Sequence, residues 1–129
     1  MNALAEQVLQ LLRDHRLVQG IRVVNYDETP WGKVELKIRC RLPAGHHLQV
    51  WMHIEPVLLD YAYQLFAERP LLRWDNAPHY PHLSTAPHHF HDDDERVTPS
   101  PLCGNPLTDL PIVMSQIEEW LDVRRKTSD

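Results

Sequence analysis

Glycine is scarce in this chain, four residues in 129. None stands in a G-x-G-x-x-G or Walker A pattern, and no G-x-S-x-G occurs. A glycine-rich phosphate cradle and the nucleophile turn of an α/β-hydrolase are therefore excluded. Cysteine is scarcer still: Cys40 lies in an alternating stretch and Cys103 beside a Gly-Asn-Pro turn. Neither belongs to a C-x-x-C pair, so both read as free thiols and not as a disulfide framework. No apolar run approaches the ~18–20 residues of a membrane span, and the first residues lack the basic flank and apolar stretch of a signal peptide. A cytoplasmic protein without membrane contact is expected. Cations are outnumbered, 13 Lys and Arg against 18 Asp and Glu, for a formal charge of −5 with nine histidines counted neutral. Gripping a long duplex needs a basic face, so that balance argues against sequence-independent duplex binding while leaving room for a local basic patch.

What is present is ordinary for a folded protein: 43% apolar and 24% charged residues. The length predicts a single domain over 1–129, which would bury roughly two-thirds of its unfolded surface and need no covalent staples.

The chain opens on an amphipathic helix over 2–16, with Leu4, Val8, Leu11 and Leu12 at helical spacing and Asn2 as its cap. Gly20 breaks it. Strands are predicted at 21–26 and at 34–42, where Val34, Leu36, Ile38, Cys40 and Leu42 alternate without a fault against Glu35, Lys37, Arg39 and Arg41. Another follows at 48–54, with Leu48, Val50, Met52 and Ile54 inward. Residues 57–66 have apolar positions at both helical and strand spacing. Tyr61, Tyr63 and Leu65 favour a strand. LLRWD at 71–75 is a fifth candidate. A closing helix over about 107–125 carries the stripe Leu110, Val113, Met114, Ile117, Trp120 and Leu121, with Pro111 acceptable only near its start and a basic end that suits the helix dipole. The expected fold is α+β: an antiparallel meander of four to five strands with a helix at each end.

Between the fifth strand and that helix, residues 76–106 show no periodicity, and eight of the eleven prolines fall between 70 and 111. So long a loop in a compact domain is usually functional or disordered. It contains RWDNAPHYPHLSTAPHHFH at 73–91, in which His79, His82, His88, His89 and His91 crowd into 13 residues. Imidazole transfers protons near neutral pH and ligates metals. Arg73 suits a phosphate, and Asp75 can orient a histidine or bind a metal. The spacings match no standard zinc pattern, so no metal ligand set is assigned and a divalent ion at the histidine cluster stays an option. The competing reading is a solvated, proline-spaced loop with Asp92, Asp93 and Asp94 as charged neighbours, and Asn76 would ordinarily bond its own backbone in such a turn.

A second signal is the outward face of the meander. Lys37, Arg39 and Arg41 share it, and Trp51 and His53 join them if Val50 and Met52 point inward. Cations beside an exposed aromatic are what a single-stranded RNA surface requires. The alternative is that a terminal helix covers this face and the cations snorkel around it.

RWDNAPH, a short proline-containing spacer and PHHFH together resemble the signature of the TumE-like toxins of bacterial toxin–antitoxin pairs. The order of helix, meander, loop and helix is also similar. The matching positions are Arg73, Trp74, Asp75, Asn76, Pro78, His79, His88, His89 and His91. Two features depart from the pattern: Tyr80 stands where a second histidine is common, and 92–106 is longer than usual. The resemblance implies a small cytoplasmic toxin whose cognate antitoxin carries a helix-turn-helix DNA-binding domain; self-association into a homodimer is expected beside that partner. It implies no particular chemistry.

Three functions compete. The favoured one is an RNA-cleaving toxin that uses Arg73, Asp75, His79, His88, His89 and His91 for acid–base catalysis, with Lys37, Arg39, Arg41 and Trp51 on the RNA and no cofactor. The others are a non-enzymatic binding or inhibitor module and a metal-dependent nuclease built on the histidine cluster.

Overall fold

The computed structural model describes residues 1–127. It is an α+β arrangement of one antiparallel sheet and two α-helices. Helix α1 spans Ala3–Asp14 and is capped by Asn2, whose side chain accepts from the Ala5 amide at 3.0 Å. Then come β1 (Gly20–Glu28), β2 (Val34–Arg41), β3 (His47–Glu55), β4 (Leu58–Phe66) and β5 (Pro70–Asp75). Two short strands, β6 (His89–His91) and β7 (Val97–Pro99), precede α2 (Pro106–Thr127). The strands pair strictly in chain order, every neighbour antiparallel.

The sheet therefore has seven strands where sequence periodicity predicts four to five. The extra two lie inside the stretch 76–106, which periodicity reads as loop throughout. Three residues are too few to display an alternation, and β6 is a strand because β5 offers it a partner: Arg73, Trp74 and Asp75 pair with His91, Phe90 and His89. Residues 58–66 form a strand, so the tyrosine alternation decided that segment. Helix α2 begins at Pro106, with the Asn105 carboxamide accepting from the Leu107 amide, and runs on through Pro111.

Both helices pack on the same side of the sheet. Val8 and Leu12 of α1 and Leu110, Val113, Met114 and Ile117 of α2 share one buried cluster with Leu36, Ile38, Val50, Met52, Tyr63, Leu65 and Trp74. At ~25 cal/mol per Å² of apolar surface, each such large side chain contributes about 1.5–3 kcal/mol to stability before entropic costs. Trp74 Nε1–H donates to the Gln116 side chain at 2.8 Å, fixing α2 over β5. Cys40 lies in the same core, where burial pushes its thiol up to about 12 and leaves it a small neutral packing group.

The face bearing Lys37, Arg39 and Arg41 is the one opposite the helices. Neither helix covers it, which removes the snorkelling alternative. Strand alternation and register set two long rows side by side on this face. Arg22, Arg39, Gln49, Gln64, Arg73 and His91 stand opposite one another from β1 to β6, and Asn25, Lys37, Trp51, Ala62, Asp75 and His89 form the adjoining row.

Candidate active site

The histidine stretch and the basic face, separate features in the sequence, meet on this open face. Trp74 points into the core, so its neighbours Arg73 and Asp75 must point out. Phe90 packs on Trp74 with ring centroids 5.1 Å apart, which likewise turns His89 and His91 outward. Four polar side chains thus converge over the β5–β6 pair.

Asp75 is at their centre and is buried. Its Oδ2 accepts from Arg73 Nε at 2.8 Å, and its Oδ1 accepts from the Ala77 amide at 3.0 Å. His89 Nε2 lies 2.9 Å from Oδ1, and His91 Nε2 lies 3.6 Å from Oδ2. His89 is almost wholly shielded, 1% exposed, beneath the Tyr80 ring at a centroid distance of 4.6 Å. Its Nδ1 sits 3.0 Å from the Pro87 carbonyl, which can only accept, so Nδ1 carries a proton. Nε2 then faces a carboxylate oxygen at hydrogen-bonding distance, and two lone pairs do not hold that position. The gap takes a proton or a cation.

His91 differs in being accessible. Burial, the largest influence, pushes its imidazole below the ordinary histidine value; Asp75 opposes this, while His89 and Arg73 lower it further. His91 is accordingly neutral near pH 7, with a lone pair available. Arg73 and His91 open into a cleft of about 410 Å³ that Tyr80, Gln64 and Arg69 also line. Asp75 and His89 lie behind its wall. Arg73 is further held by Gln64, whose side-chain oxygen accepts from Nη1 at 2.7 Å. Asp92, Asp93 and Glu95 also line the cleft, so its basic character is concentrated at Arg73 and Arg69.

The remaining sequence candidates are dispersed. His88, one residue before β6, points to the helix side, where it stacks on Tyr61 and shares a 2.8 Å hydrogen bond with the Tyr61 hydroxyl. His79 is exposed in the loop, outside the cluster. Asn76 does not close a turn on its own backbone: its side chain donates to the Leu59 carbonyl and accepts from the Tyr61 amide, continuing the β4–β5 pairing. On the meander, Arg39 and Arg41 are exposed, while Lys37 and Trp51 are half-buried in the adjoining row, with Trp51 Nε1–H reaching Glu35 at 3.4 Å.

Tyr80 is the residue that sequence reasoning undervalued. It entered only as a departure from a histidine pattern, yet its ring caps both His89 and His91. No local signal could reveal this, because the contact depends on how the β5–β6 connection folds back over the sheet. Arg22 and Gln64 were also missed, although their strand parity already placed them outward.

Among the described residues two groups have donors close enough to share a cation, Asp75 with His89 and His91, and Asp92 with Asp93 and Asp94, the ligand atoms of each lying within 4.8 Å of one another. The Pro87 carbonyl orients His89 in the way a second-sphere acceptor orients a metal-bound imidazole.

Compared with known families, residues 8–121 match the model of the family described as Toxin TumE. No curated protein and no solved structure matches the chain.

Proposed function

The chain belongs to the Toxin TumE family, and we propose that this toxin acts in the cytoplasm by cleaving single-stranded RNA at the β5–β6 cluster. One observation carries the reading: a cation and a neutral imidazole, Arg73 and His91, open side by side into a cleft on a helix-free sheet face. Cleavage of an RNA phosphodiester needs a base for the 2′-hydroxyl, charge stabilisation at phosphorus and a proton for the departing 5′-oxygen. His91 Nε2 takes the 2′-hydroxyl proton as that oxygen bonds to phosphorus. Arg73 faces the negative charge developing on the phosphoryl oxygens. The bond to the 5′-oxygen breaks and Tyr80, whose hydroxyl-bearing ring lines the same cleft, protonates it. The products are a 2′,3′-cyclic phosphate and a free 5′-hydroxyl. Asp75 and His89 touch no substrate in this scheme; they position Arg73 and His91.

A second reading has its own support. Two imidazoles and a carboxylate are a common donor set for a divalent ion, and the separations of 2.9 and 3.6 Å around Asp75 suit neighbouring ligands of one ion. In that case Asp75, His89 and His91 hold the ion, and Arg73 remains free to face the phosphate.

Membership of a toxin family implies an antitoxin partner. We infer that this antitoxin is a helix-turn-helix protein that supplies promoter contacts an acidic chain of net charge −5 would make poorly, and that the toxin pairs with itself as a homodimer.

The test is to express the chain with and without its antitoxin, following growth and RNA integrity, and to identify the RNA termini produced by the purified protein. New cyclic-phosphate ends that vanish with His91→Ala support the reading. Growth arrest with RNA intact overturns it in favour of a non-enzymatic inhibitor.

A further inference from the structure

On the same face, three strands away from the cluster, lies a second hollow that the catalytic reading leaves unused. It is about 510 Å³ in volume, within the range of small-molecule sites, and is lined by Arg22, Arg39, Arg41, His47 and Phe66 among others. Phe66 ends β4 opposite His47 of β3, and their rings stack with centroids 5.3 Å apart at an interplanar angle of 24°. The Arg39 guanidinium lies 6.0 Å from the Phe66 centroid.

The charge of this hollow is uncompensated. Among the described residues no carboxylate bridges Arg22, Arg39 or Arg41; Arg39 Nε donates to the Gln49 side chain and Arg41 to the Gln19 carbonyl, both neutral acceptors. Three clustered guanidinium groups without a carboxylate repel one another, and an anion placed among them relieves that repulsion. The hollow is also continuous with the catalytic cleft. A shallow depression of about 200 Å³ lined by Arg39, Gln49, Gln64 and Phe66 shares Arg39 and Phe66 with the hollow and Gln64 with the cleft. Strand spacing puts Arg39 and Arg73 about 14 Å apart along that path.

We propose that this hollow is a nucleotide-binding subsite in which Phe66 and His47 stack a base of single-stranded RNA while Arg22, Arg39 and Arg41 hold the flanking phosphates. The proposal rests on the reading of the toxin as one that acts on RNA, and it identifies where the chain beyond the scissile bond is held. A base presents a flat face to any aromatic ring, so such a subsite anchors RNA without selecting sequence. A duplex, whose bases are already stacked, offers nothing to Phe66 and is bound less well.

The experiment measures anisotropy of a labelled single-stranded RNA octanucleotide with His91→Ala protein, so that the probe is not consumed. Adding Phe66→Ala should weaken binding about tenfold or more. Adding Arg39→Gln, at an exposed position that leaves the core untouched, should weaken binding and flatten the salt dependence by roughly 0.7 in the log–log slope. The duplex of the same sequence should bind more weakly and be indifferent to Phe66→Ala. If the parent binds RNA while both substitutions leave affinity and salt slope unchanged with unaltered thermal unfolding, the subsite is overturned and the RNA reading stands. If the parent neither binds nor cuts any single-stranded RNA, both fall.

Discussion

Asp75 and His89 oppose each other across β5 and β6, with 2.9 Å between Oδ1 and Nε2 and almost no solvent access to either. A carboxylate held simultaneously by Arg73, the Ala77 amide and His89 cannot swing, and the ring is fixed at its other end by the Pro87 carbonyl. The pair is a rigid mount. What it presents to the cleft is Arg73 on one side, held by Asp75 and Gln64, and His91 on the other.

The exposed and buried histidines should separate by assay. His91→Ala should reduce RNA cleavage by about 10²–10⁴-fold with little change in thermal unfolding, because it removes a proton acceptor from a half-buried position at the cleft. His79→Ala, outside the cluster, should retain most activity. His89→Ala should lower both activity and stability. Single-turnover cleavage rates alongside melting curves distinguish the three; a dead but fully stable His79→Ala would move the active centre into the loop.

The pH dependence follows from His91. Its titration lies below the ordinary histidine value, so the base is deprotonated above that point and activity should rise as pH increases through it, reaching its plateau by about neutrality. In the acid–base scheme this acid limb persists in EDTA. Activity abolished by EDTA and restored by a divalent ion would instead assign Asp75, His89 and His91 as ligands. Calorimetric titration of the purified protein with Mn²⁺ or Zn²⁺ gives an independent reading.

Stability of the α2 junction should depend on Asp109. This fully buried carboxylate accepts from the backbone amides of Cys103 and Gly104 at 2.9 and 2.7 Å. Asp109→Ala leaves two part-buried backbone donors unpaired and should cost about 1–3 kcal/mol in urea unfolding at neutral pH. The Asp75, His89 and His91 cluster lies on the other face, so activity per folded molecule should be preserved.

A smaller effect concerns the β6–β7 turn. Asp93 accepts from Arg124 of α2 at 2.7 Å, and that hydrogen bond, the largest influence, holds its carboxyl below the ordinary value. A depressed carboxylate contributes stability above its unfolded value and loses it as pH falls through the folded one. Asp93→Asn should therefore destabilise by under about 1 kcal/mol at pH 7, a partly exposed pair being worth little. The difference from the parent should vanish on acidification below the ordinary aspartate range. Parallel denaturation curves across that range test it.

Most of the sheet and both helices were legible because their signals are local. The alternation at 34–41 is forced by a strand with one buried face, and the stripe at 110–121 by a helix with one buried side. Asn2 could be read as a cap from its position alone. The strands β6 and β7 could not, since three residues carry no period and their pairing is supplied by β5.

The sequence by itself picked out most of the candidate residues, because histidine density, a lone Arg-Trp-Asp triplet and cations at alternate positions need no partner to be visible. It also settled the parity of Lys37, Arg39 and Arg41 within their strand. Only the tertiary structure decided which of them meet. Register is a long-range property: it aligned Arg39 with Arg73 and His91 on one row, left His79 in solvent and turned His88 to the opposite face. The same packing that drew both helices to the Leu36 and Ile38 side left the other side open, since amphipathic helices can bury their apolar stripes only where the sheet is apolar.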